Sequence, residues 1–191
     1  LKLITLDVKD SAAVAAAMQG VQAVMCALPY YFNLPMTEAA IAAGAHFADL
    51  GGNTAIVESQ IRTLDAPARA KGVSVLPDCG LAPGLVNVIA EHGIRQCDTV
   101  SAVRCYVGGL PQAPTPPLNY QIVYSLEGVL DYYTTPSWVL RDGRPTQVAA
   151  LSETVPVTFP EPLGTLEAFH TAGGLSLMAQ RYAGRIDTME Y

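Results

Sequence analysis

Residues that could take part in chemistry follow three predicted strands in the first half of the chain. Leu28-Pro29-Tyr30 follows one strand, Asp49-Leu50-Gly51-Gly52-Asn53 follows the next, and Asp78 follows a third. Glycine lets a backbone approach a planar ring or a phosphate closely, and a carboxylate can accept a proton. Because ligands of open parallel sheets bind at the carboxyl ends of the strands, these segments together predict a small-molecule site.

Each of these segments also has an ordinary structural explanation. Asp49 and Asp78 could cap the helices that follow them, and Gly51-Gly52 could form a plain turn. The proline and tyrosine after the first of the three strands could mark the entry to a helix. Asp7, at the end of an earlier predicted strand, could border the adenine or ribose of a dinucleotide or serve as an N-cap. The functional interpretation therefore depends on the co-location of the segments.

The second half of the chain contains one histidine in a distinctive setting. His170 lies between a predicted strand and the pair Gly173-Gly174. A histidine in such a loop can be unprotonated near neutral pH and can take a proton from a substrate. A packed structural histidine is the alternative. Of the other two histidines, His46 begins a strand and has no partner in the sequence, and His92 is expected on the surface.

Composition and charge argue against several classes of function. The chain has 11 Lys and Arg against 17 Asp and Glu, a net charge of −6. Without a basic cluster, nucleic acid and anionic membranes are poor candidates for partners. The apolar runs are shorter than the roughly 18 residues of a membrane span. The four cysteines show no CxxC spacing and no signal peptide is visible, so we expect reduced thiols, no metal site and a cytoplasmic protein.

The first half of the chain alternates strands and helices. Strands are predicted over 1–8, 21–28, 45–50 and 73–77, with helices between them that begin near Asp10, Asn33 and Thr54 and end at Gly20, Gly44 and Gly72. This alternation predicts a doubly wound parallel sheet. The continuous apolar strand 21–28 should lie inside that sheet, between 1–8 and 45–50. In the third helix, Asp65 is predicted to cap a second piece that starts with Pro67.

The second half has a different pattern, typical of an α+β domain. A long strand is predicted over 99–107 and a hinge rich in Pro and Gly over 108–117. An apolar stripe predicts a helix over 121–130, formed by Ile122, Val123, Leu126, Val129 and Leu130. Asp142-Gly143 is a hairpin signal, and strands 155–159 and 163–169 and a helix over 175–182 follow. We therefore predict two domains, 1–97 and 98–191.

Five segments together resemble the saccharopine dehydrogenase-like family, most closely its lysine 6-dehydrogenase branch. They are LDVKD, ALPYYFN, HFADLGGN, LPDCGLAPGLVN and LEAFHTAGGLS, and the likeness extends over nearly the whole chain. The resemblance implies part of a Rossmann-type domain that binds NAD or NADP, followed by an α+β domain for substrate binding and dimerisation, and hence a homodimer. It also implies that the glycine-rich phosphate loop and one substrate-anchoring arginine of the family lie outside these 191 residues.

The resemblance also assigns roles to individual residues. The cofactor-binding candidates are Asp7, Val8, Cys26, Leu28, Pro29, Asp49, Gly51 and Gly52. The substrate-binding candidates are Tyr30, Asn53, Phe169 and Thr171. His170 is the first candidate for the catalytic base, and Asp78 is the second.

The implied reaction is the oxidation of the ε-amine carbon of L-lysine by NAD or NADP, with 2-aminoadipate 6-semialdehyde as the product. The amine must be neutral before hydride can leave, and the pKa of the lysine ammonium is about 10.4, so a base is required. One alternative is a saccharopine or carboxynorspermidine reductase. The other is a non-catalytic module for binding or dimerisation.

Overall fold

The computed structural model describes residues 2–122 and 124–191. Backbone contacts divide the chain into a first unit that ends at Gly80 and a second unit from Leu81 to Tyr191. The division falls earlier than the predicted 97/98 boundary because Val86, Ala90 and Ile94 pack against the core of the second unit. Across the described ranges, no helix is long and apolar enough to cross a membrane.

The first unit is a three-stranded parallel sheet with three main helices. The strands are β1 (Ala23–Cys26), β2 (His46–Asp49) and β3 (Val75–Leu76), and they lie in that order. The helices are α1 (Ser11–Ala17), α2 (Asn33–Ala43) and α3 (Thr54–Lys71), with a 3₁₀ turn at Tyr30–Phe32. The predicted parallel sheet is confirmed.

Local capping explains where these helices begin and end. The Asp10 carboxylate accepts from the backbone N–H groups of Ala12 and Ala13, and the Asn53 side chain accepts from those of Ala55 and Ile56. These are the first N–H groups of each helix, which have no partner within the helix. α2 and α3 end at left-handed glycines, Gly44 and Gly72. The core between helices and sheet contains Val14, Met18, Cys26, Met36, Ala40 and Phe47.

Two predictions for the first unit were wrong. Residues 2–8 of the predicted strand 1–8 are not in a strand, and Leu1 lies outside the described residues. Within the described chain β1 therefore pairs with β2 alone, and Met25 is 64% exposed rather than buried between two strands. The second error concerns α3, which is continuous through Pro67. Asp65 pairs with Arg69 one turn later and does not cap a new helix.

The second unit contains a mixed sheet, a separate hairpin and three helices. The mixed sheet has the order β4 (Ala102–Arg104), β9 (Thr188–Glu190), β5 (Ser137–Arg141) and β6 (Arg144–Val148). β4 and β9 are parallel, and the other pairs are antiparallel. β7 (Val155–Thr158) and β8 (Thr165–Ala168) form the hairpin. The helices are α4 (Leu85–Arg95), α5 (Leu126–Thr134) and α6 (Met178–Arg181).

The hairpin predicted at Asp142-Gly143 is confirmed, and the strands predicted over 155–159 and 163–169 are present as β7 and β8. Three other elements have different bounds. The helix predicted over 121–130 begins only at Leu126, because the Ser125 hydroxyl accepts from the N–H of Gly128 and caps it there. Ile122 is not helical, and Val123 lies outside the described residues. The strand predicted over 99–107 pairs with β9 over three residues, and the helix predicted over 175–182 is reduced to α6.

Candidate active-site groups

A buried carboxylate connects two loops at the carboxyl ends of β2 and β3. Asp49 is 0% exposed. Its Oδ1 accepts from the backbone N–H groups of Gly51 at 2.8 Å and Asp78 at 3.1 Å, and its Oδ2 accepts from Gln60 Nε2 at 2.8 Å. Hydrogen bonds to a charged acceptor are the stronger class. Asp49 therefore fixes the positions of the two loops relative to each other. Both of its carboxylate oxygens accept hydrogen bonds from groups of the protein.

The loop after β2 also lies against the turn after β1. Gly52 has φ +120°, and a Cβ added there would lie 3.2 Å from the Cβ of Tyr30. Only glycine combines this backbone conformation with such a close approach. The predicted meeting of the three segments is thus observed: Tyr30, Gly52, Asp49 and Asp78 lie on one edge of the sheet, which we call the strand-end edge.

Other predicted residues of this edge have structural contacts of their own. Cys26 is 4% exposed, and its thiol lies 3.6 Å from Asn33 Oδ1. Burial raises the pKa of this thiol, and the side chain of Cys26 is part of the core of the first unit. Asn53 caps α3 with its side-chain oxygen. Leu28 packs on the core, and Pro29 directly precedes the 3₁₀ turn.

Asp7 and Val8 lie in the turn before α1. The Asp7 carboxylate accepts from the N–H of Lys9 at 2.9 Å, and its carbonyl accepts from the N–H of Asp10 at 3.1 Å. The carboxylate of Asp7 therefore stabilises the turn, while Asp10 is the N-cap of α1. Val8 lines a largely apolar cavity of about 320 Å³ that also includes Lys9, Ser11, Val14, Phe32, Pro35, Met36 and Ala39.

The strand-end edge fits the ring half of a dinucleotide better than its phosphate half. Gly51 and Gly52 both have positive φ, and Gly52 lies against Tyr30. A pyrophosphate instead requires open N–H groups at a helix start or a GxGxxG loop. The first N–H groups of α1 and α3 are already bonded to Asp10 and Asn53, and the sequence contains no GxGxxG.

In the second unit His170 follows β8 and is 6% exposed. Its Nδ1 lies 3.1 Å from the carbonyl oxygen of Tyr191, and its Nε2 lies 3.3 Å from both Glu153 Oε2 and Arg141 Nη2. A carbonyl can only accept, so Nδ1 carries a proton. Nε2 then accepts from Arg141 in the neutral ring and donates to Glu153 in the charged ring. Both ring nitrogens therefore have protein partners.

Arg141 is at the centre of an ion-pair network that the sequence did not reveal. Its Nη2 lies 2.6 Å from Glu153 Oε2, and its Nη1 donates to Glu190. Burial alone would raise the pKa of Glu153, but the hydrogen bonds from His170 and Arg141 outweigh it and lower that pKa. We call Arg141, Glu153, His170 and Glu190 the ion-pair network.

Three members of this network could in principle serve as metal ligands. Oxygens of Glu153 and Glu190 and a ring nitrogen of His170 lie within 4.8 Å of one another. Arg141 already donates to both carboxylates. A cation at this place would compete with the guanidinium for the same oxygens, so the arrangement is an ion-pair network rather than a metal centre.

Phe169 and Thr171, the residues on either side of His170, contact an aromatic cluster. Phe169 is 38% exposed, and its ring centroid lies 6.2 Å from that of Tyr133. Thr171 forms a side-chain hydrogen bond with Tyr191. We call this cluster the aromatic patch, and its six members are Tyr120, Tyr124, Tyr132, Tyr133, Phe169 and Tyr191.

Comparison with known proteins identifies the family. Residues 1–76 match the model of the saccharopine dehydrogenase NADP binding domain, and residues 80–190 match that of the saccharopine dehydrogenase C-terminal domain. The chain belongs to the saccharopine dehydrogenase family. The family resemblance is thereby confirmed, as is the nicotinamide cofactor, NAD or NADP, at the level of the matched domain.

Relatives in fungi support the same assignment. Saccharopine dehydrogenase [NADP(+), L-glutamate-forming] from Pyricularia oryzae is 28% identical over 182 residues, which are 92% of this chain and 38% of that protein. The Saccharomyces cerevisiae protein of the same name is 27% identical over 150 residues, 75% of this chain and 32% of the relative. The chain thus spans less than two fifths of the length of these relatives.

A solved structure shows the same fold. Saccharopine dehydrogenase (L-Glu forming) from Saccharomyces cerevisiae superposes with a TM-score of 0.73 at 22% sequence identity. The superposition covers 98% of this chain and 43% of that one. The predicted fold class, a Rossmann-type domain followed by a second domain, is confirmed.

Proposed function

We propose that this saccharopine dehydrogenase-family chain is part of an NAD(P)-dependent oxidoreductase that acts on a carbon–nitrogen bond of an amino acid. One observation carries the proposal: two family models match in sequence order, an NADP binding domain followed by the C-terminal domain. The strand-end edge of the first unit supports it, because it carries two positive-φ glycines, one of which lies against Tyr30. The nicotinamide, when bound, accepts a hydride from the carbon next to nitrogen.

Two substrates fit this chemistry. The first is the ε-amine of L-lysine, with 2-aminoadipate 6-semialdehyde as the product, which the sequence motifs favour. The second is saccharopine, which the printed names of the relatives favour. Both reactions oxidise the carbon attached to the same nitrogen, so they place the same demand on a base and differ in what the nitrogen carries.

Within this proposal, His170 and Asp78 remain the two candidates for the base. His170 can accept a proton at Nε2 only if Arg141 and Glu153 release that atom. Asp78 follows β3 at the strand-end edge, where Asp49 holds its backbone N–H. Tyr30 and the backbone of Gly51 and Gly52 then border the reacting ring, while Asp49 and Asn53 position the loops.

Initial-rate measurements on the complete protein test the proposal. NADP+ or NAD+ should be reduced, with an increase in absorbance at 340 nm, when L-lysine or saccharopine is supplied. Loss of the base should lower kcat by roughly 10²–10⁴, with residual activity that rises with pH as more amine arrives neutral. Of His170→Ala and Asp78→Asn, the variant with this pH profile identifies the base. A protein that binds neither NADPH nor an amine would instead support the non-catalytic module.

We also propose that the protein acts as a homodimer in the cytoplasm, with the second unit at the subunit interface. Exposed apolar side chains on this unit support the idea, among them Leu118, which is 79% exposed. Larger exposed apolar patches mark sites of protein–protein association, and Leu110, Leu118 and Ile122 of the segment 110–122 are each at least half exposed. Light scattering coupled to gel filtration should give twice the monomer mass, and a monomer at micromolar concentration would contradict the proposal.

A further inference from the structure

Gln60, a residue of α3, connects three elements of the first unit. Its side chain is 2% exposed. Its Nε2 lies 2.8 Å from Oδ2 of Asp49, the last residue of β2, and 2.9 Å from Oγ1 of Thr37 in α2. The two contacts use both N–H groups of the amide. Gln60 therefore joins α3 to the end of β2 and to α2.

The partners of Gln60 determine the orientation of its amide. The Thr37 hydroxyl donates to the carbonyl oxygen of Asn33 at 2.7 Å, so its oxygen accepts from Gln60. The Asp49 carboxylate is also an acceptor. The NH2 group must therefore face both partners. Among the described residues, Oε1 of Gln60 has no hydrogen-bond donor.

The unpaired Oε1 indicates that stability alone would favour another side chain at position 60. A buried acceptor without a donor is unfavourable, and such a group in a folded protein requires an explanation. A leucine of similar size would bring no unpaired oxygen, but it would also offer no donor to Asp49. A glutamate would place a second carboxylate beside Asp49. A glutamine at this position combines a neutral side chain with two donors on one atom, which two neighbouring acceptors require.

On the side of β2, Gln60 restricts the loop that leads into its own helix. Asp49 accepts from Gln60 with Oδ2 and from the N–H of Gly51 with Oδ1, at 2.8 Å in both cases. The loop then ends at Asn53, whose side chain caps α3. Both ends of the loop are therefore hydrogen-bonded to the same helix, which limits the positions open to the glycine pair between them.

On the side of α2, Gln60 contacts the helix that follows the turn with Tyr30. The Thr37 hydroxyl to which it donates is bonded to Asn33, the first residue of α2, directly after the 3₁₀ turn that begins at Tyr30. A Cβ added to Gly52 would lie 3.2 Å from that of Tyr30. One buried amide therefore connects the segments on both sides of the contact between Tyr30 and Gly52.

We propose that Gln60 is a positioning residue for the nicotinamide ring of the cofactor. Because Gln60 is buried, it acts without touching the ring: it fixes the separation between Tyr30 and Gly52. The inference rests on the proposed function, in which these two residues border the ring. Loss of both donors at position 60 should weaken the binding of the ring and leave the binding of the adenosine half of the cofactor unchanged.

Binding of two probes to the complete protein tests this role. One probe is NADPH, and the other is 2′-phospho-ADP-ribose, which is the same molecule without the nicotinamide. Gln60→Leu should weaken NADPH about tenfold, since the hydrogen bonds that hold the ring contact are lost, and should change the affinity for 2′-phospho-ADP-ribose by less than about twofold. Equal weakening of both probes, or of neither, would overturn the proposal.

Leu64→Ala is the control that separates positioning from stability. Leu64 lies one turn after Gln60 in α3, is 7% exposed and packs with Ile41 and Ala68 in a separate core cluster. The cavity left by this substitution should lower the urea concentration at which the protein unfolds, while the affinity for NADPH should equal that of wild type. NADPH binding that is weakened as much in Leu64→Ala as in Gln60→Leu would show that both act through stability and would refute the positioning role.

Two further variants decide the question if Gln60→Leu does not fold. Thr37→Val keeps the shape of the side chain and removes one acceptor, and it should weaken NADPH roughly threefold. The double variant Asp49→Asn with Gln60→Glu exchanges donor and acceptor between the two residues, so it should bind NADPH more tightly than Gln60→Glu alone. Wild-type affinity in Thr37→Val, or no recovery in the double variant, would contradict the proposal.

Amide hydrogen exchange distinguishes the failure of this inference from the failure of the proposed function. In Gln60→Leu the N–H groups of Gly51 and Asp78 should exchange faster than in wild type, because Asp49, which accepts from both, is no longer held at Oδ2. Faster exchange in a protein that binds neither NADPH nor NADH would retain the positioning of the loops and reject the proposed function. Unchanged exchange together with unchanged NADPH affinity would retain the function and reject the role of Gln60.

Discussion

The two units hold their charged groups by different means. In the first unit, the Asp49 carboxylate is surrounded by neutral N–H donors, two from backbone and one from Gln60. In the second unit, the Arg141 guanidinium faces two carboxylates and a histidine. The first arrangement depends on loop geometry and the second on charge balance. Substitutions that keep the shape of a side chain but change its charge should therefore affect the stability of the two units to different degrees.

The largest effect is expected at Asp49. Asp49→Ala would take the shared acceptor from three donors, the buried Gln60 amide and the partly buried N–H groups of Gly51 and Asp78. We expect a loss of about 3–4 kcal/mol in the free energy of unfolding of the first unit. Urea-induced unfolding followed by circular dichroism measures it. Asp49→Asn is the control, because its one remaining carbonyl oxygen can still accept from Gly51 and Asp78, and it should recover part of the loss. A loss below about 1 kcal/mol in Asp49→Ala would show that the loops hold their positions without this carboxylate.

A somewhat smaller effect is expected at Arg141. Arg141→Leu would leave Glu153, Glu190 and His170 without their common partner, at a cost of about 2–3 kcal/mol, since the side chain of Arg141 is partly exposed. Arg104→Leu is the matched control. Arg104 pairs with the same Glu190 but is 53% exposed, so its loss should cost less than about 1 kcal/mol. Equal losses in the two variants would mean that the network contributes no more than one surface ion pair.

A substitution at Gly52 tests the geometry of the strand-end edge. Gly52→Ala places a Cβ 3.2 Å from that of Tyr30 at φ +120°, and we expect a loss of about 1–3 kcal/mol together with weaker NADPH binding. Gly44→Ala is the control, because Gly44 has φ +74° with nothing within 4 Å of the added Cβ. Gly44→Ala should cost roughly 1 kcal/mol and leave NADPH affinity unchanged. NADPH fluorescence measures the affinity. Equal NADPH affinities in the two variants would show that the ring of the cofactor does not bind at this edge.

The smallest effect concerns pH. The pKa of Glu153 is lowered in the folded protein, so its contribution to stability is present above the unfolded value, about 4.3, and is lost as pH falls through the lower folded value. The stability difference between wild type and Glu153→Gln should therefore shrink below about pH 4.3. Half of the Glu153 side chain is exposed, so the difference is small. A difference that grows on acidification would reverse the sign of this contribution.

The difference between the two units also explains why one candidate site could be predicted from the sequence and the other could not. The strand-end edge was predictable because Asp49, Gly51 and Gly52 follow a strand within a few residues, and parallel strands bring such ends together. The ion-pair network was not predictable, because Arg141, Glu153, His170 and Glu190 come from segments up to 49 residues apart. Arg141 and Glu190 end strands β5 and β9, but a charged residue at a strand end is too common to signal a partner.

Some predicted positions of helices and strands were wrong because local hydrogen bonding decided them. The periodicity around Ile122 predicted a helix that starts early, and the Ser125 cap moved the start to Leu126. The apolar run 21–28 predicted a central strand, yet hydrogen-bonding neighbours rather than hydrophobicity decide which strand is central. The alternation of strands and helices correctly predicted the direction of β1, its pairing with β2 and the order of the helices.

The proposed function depends on hydride transfer from the carbon beside the ε-nitrogen to the nicotinamide. The complete protein is incubated with NADP+ and L-lysine, or saccharopine, deuterated at that carbon, and the reduced nicotinamide is analysed by mass spectrometry. We expect one deuterium in each NADPH formed and a slower rate than with unlabelled substrate. NADPH that forms without deuterium, or no NADPH with either substrate, would contradict it.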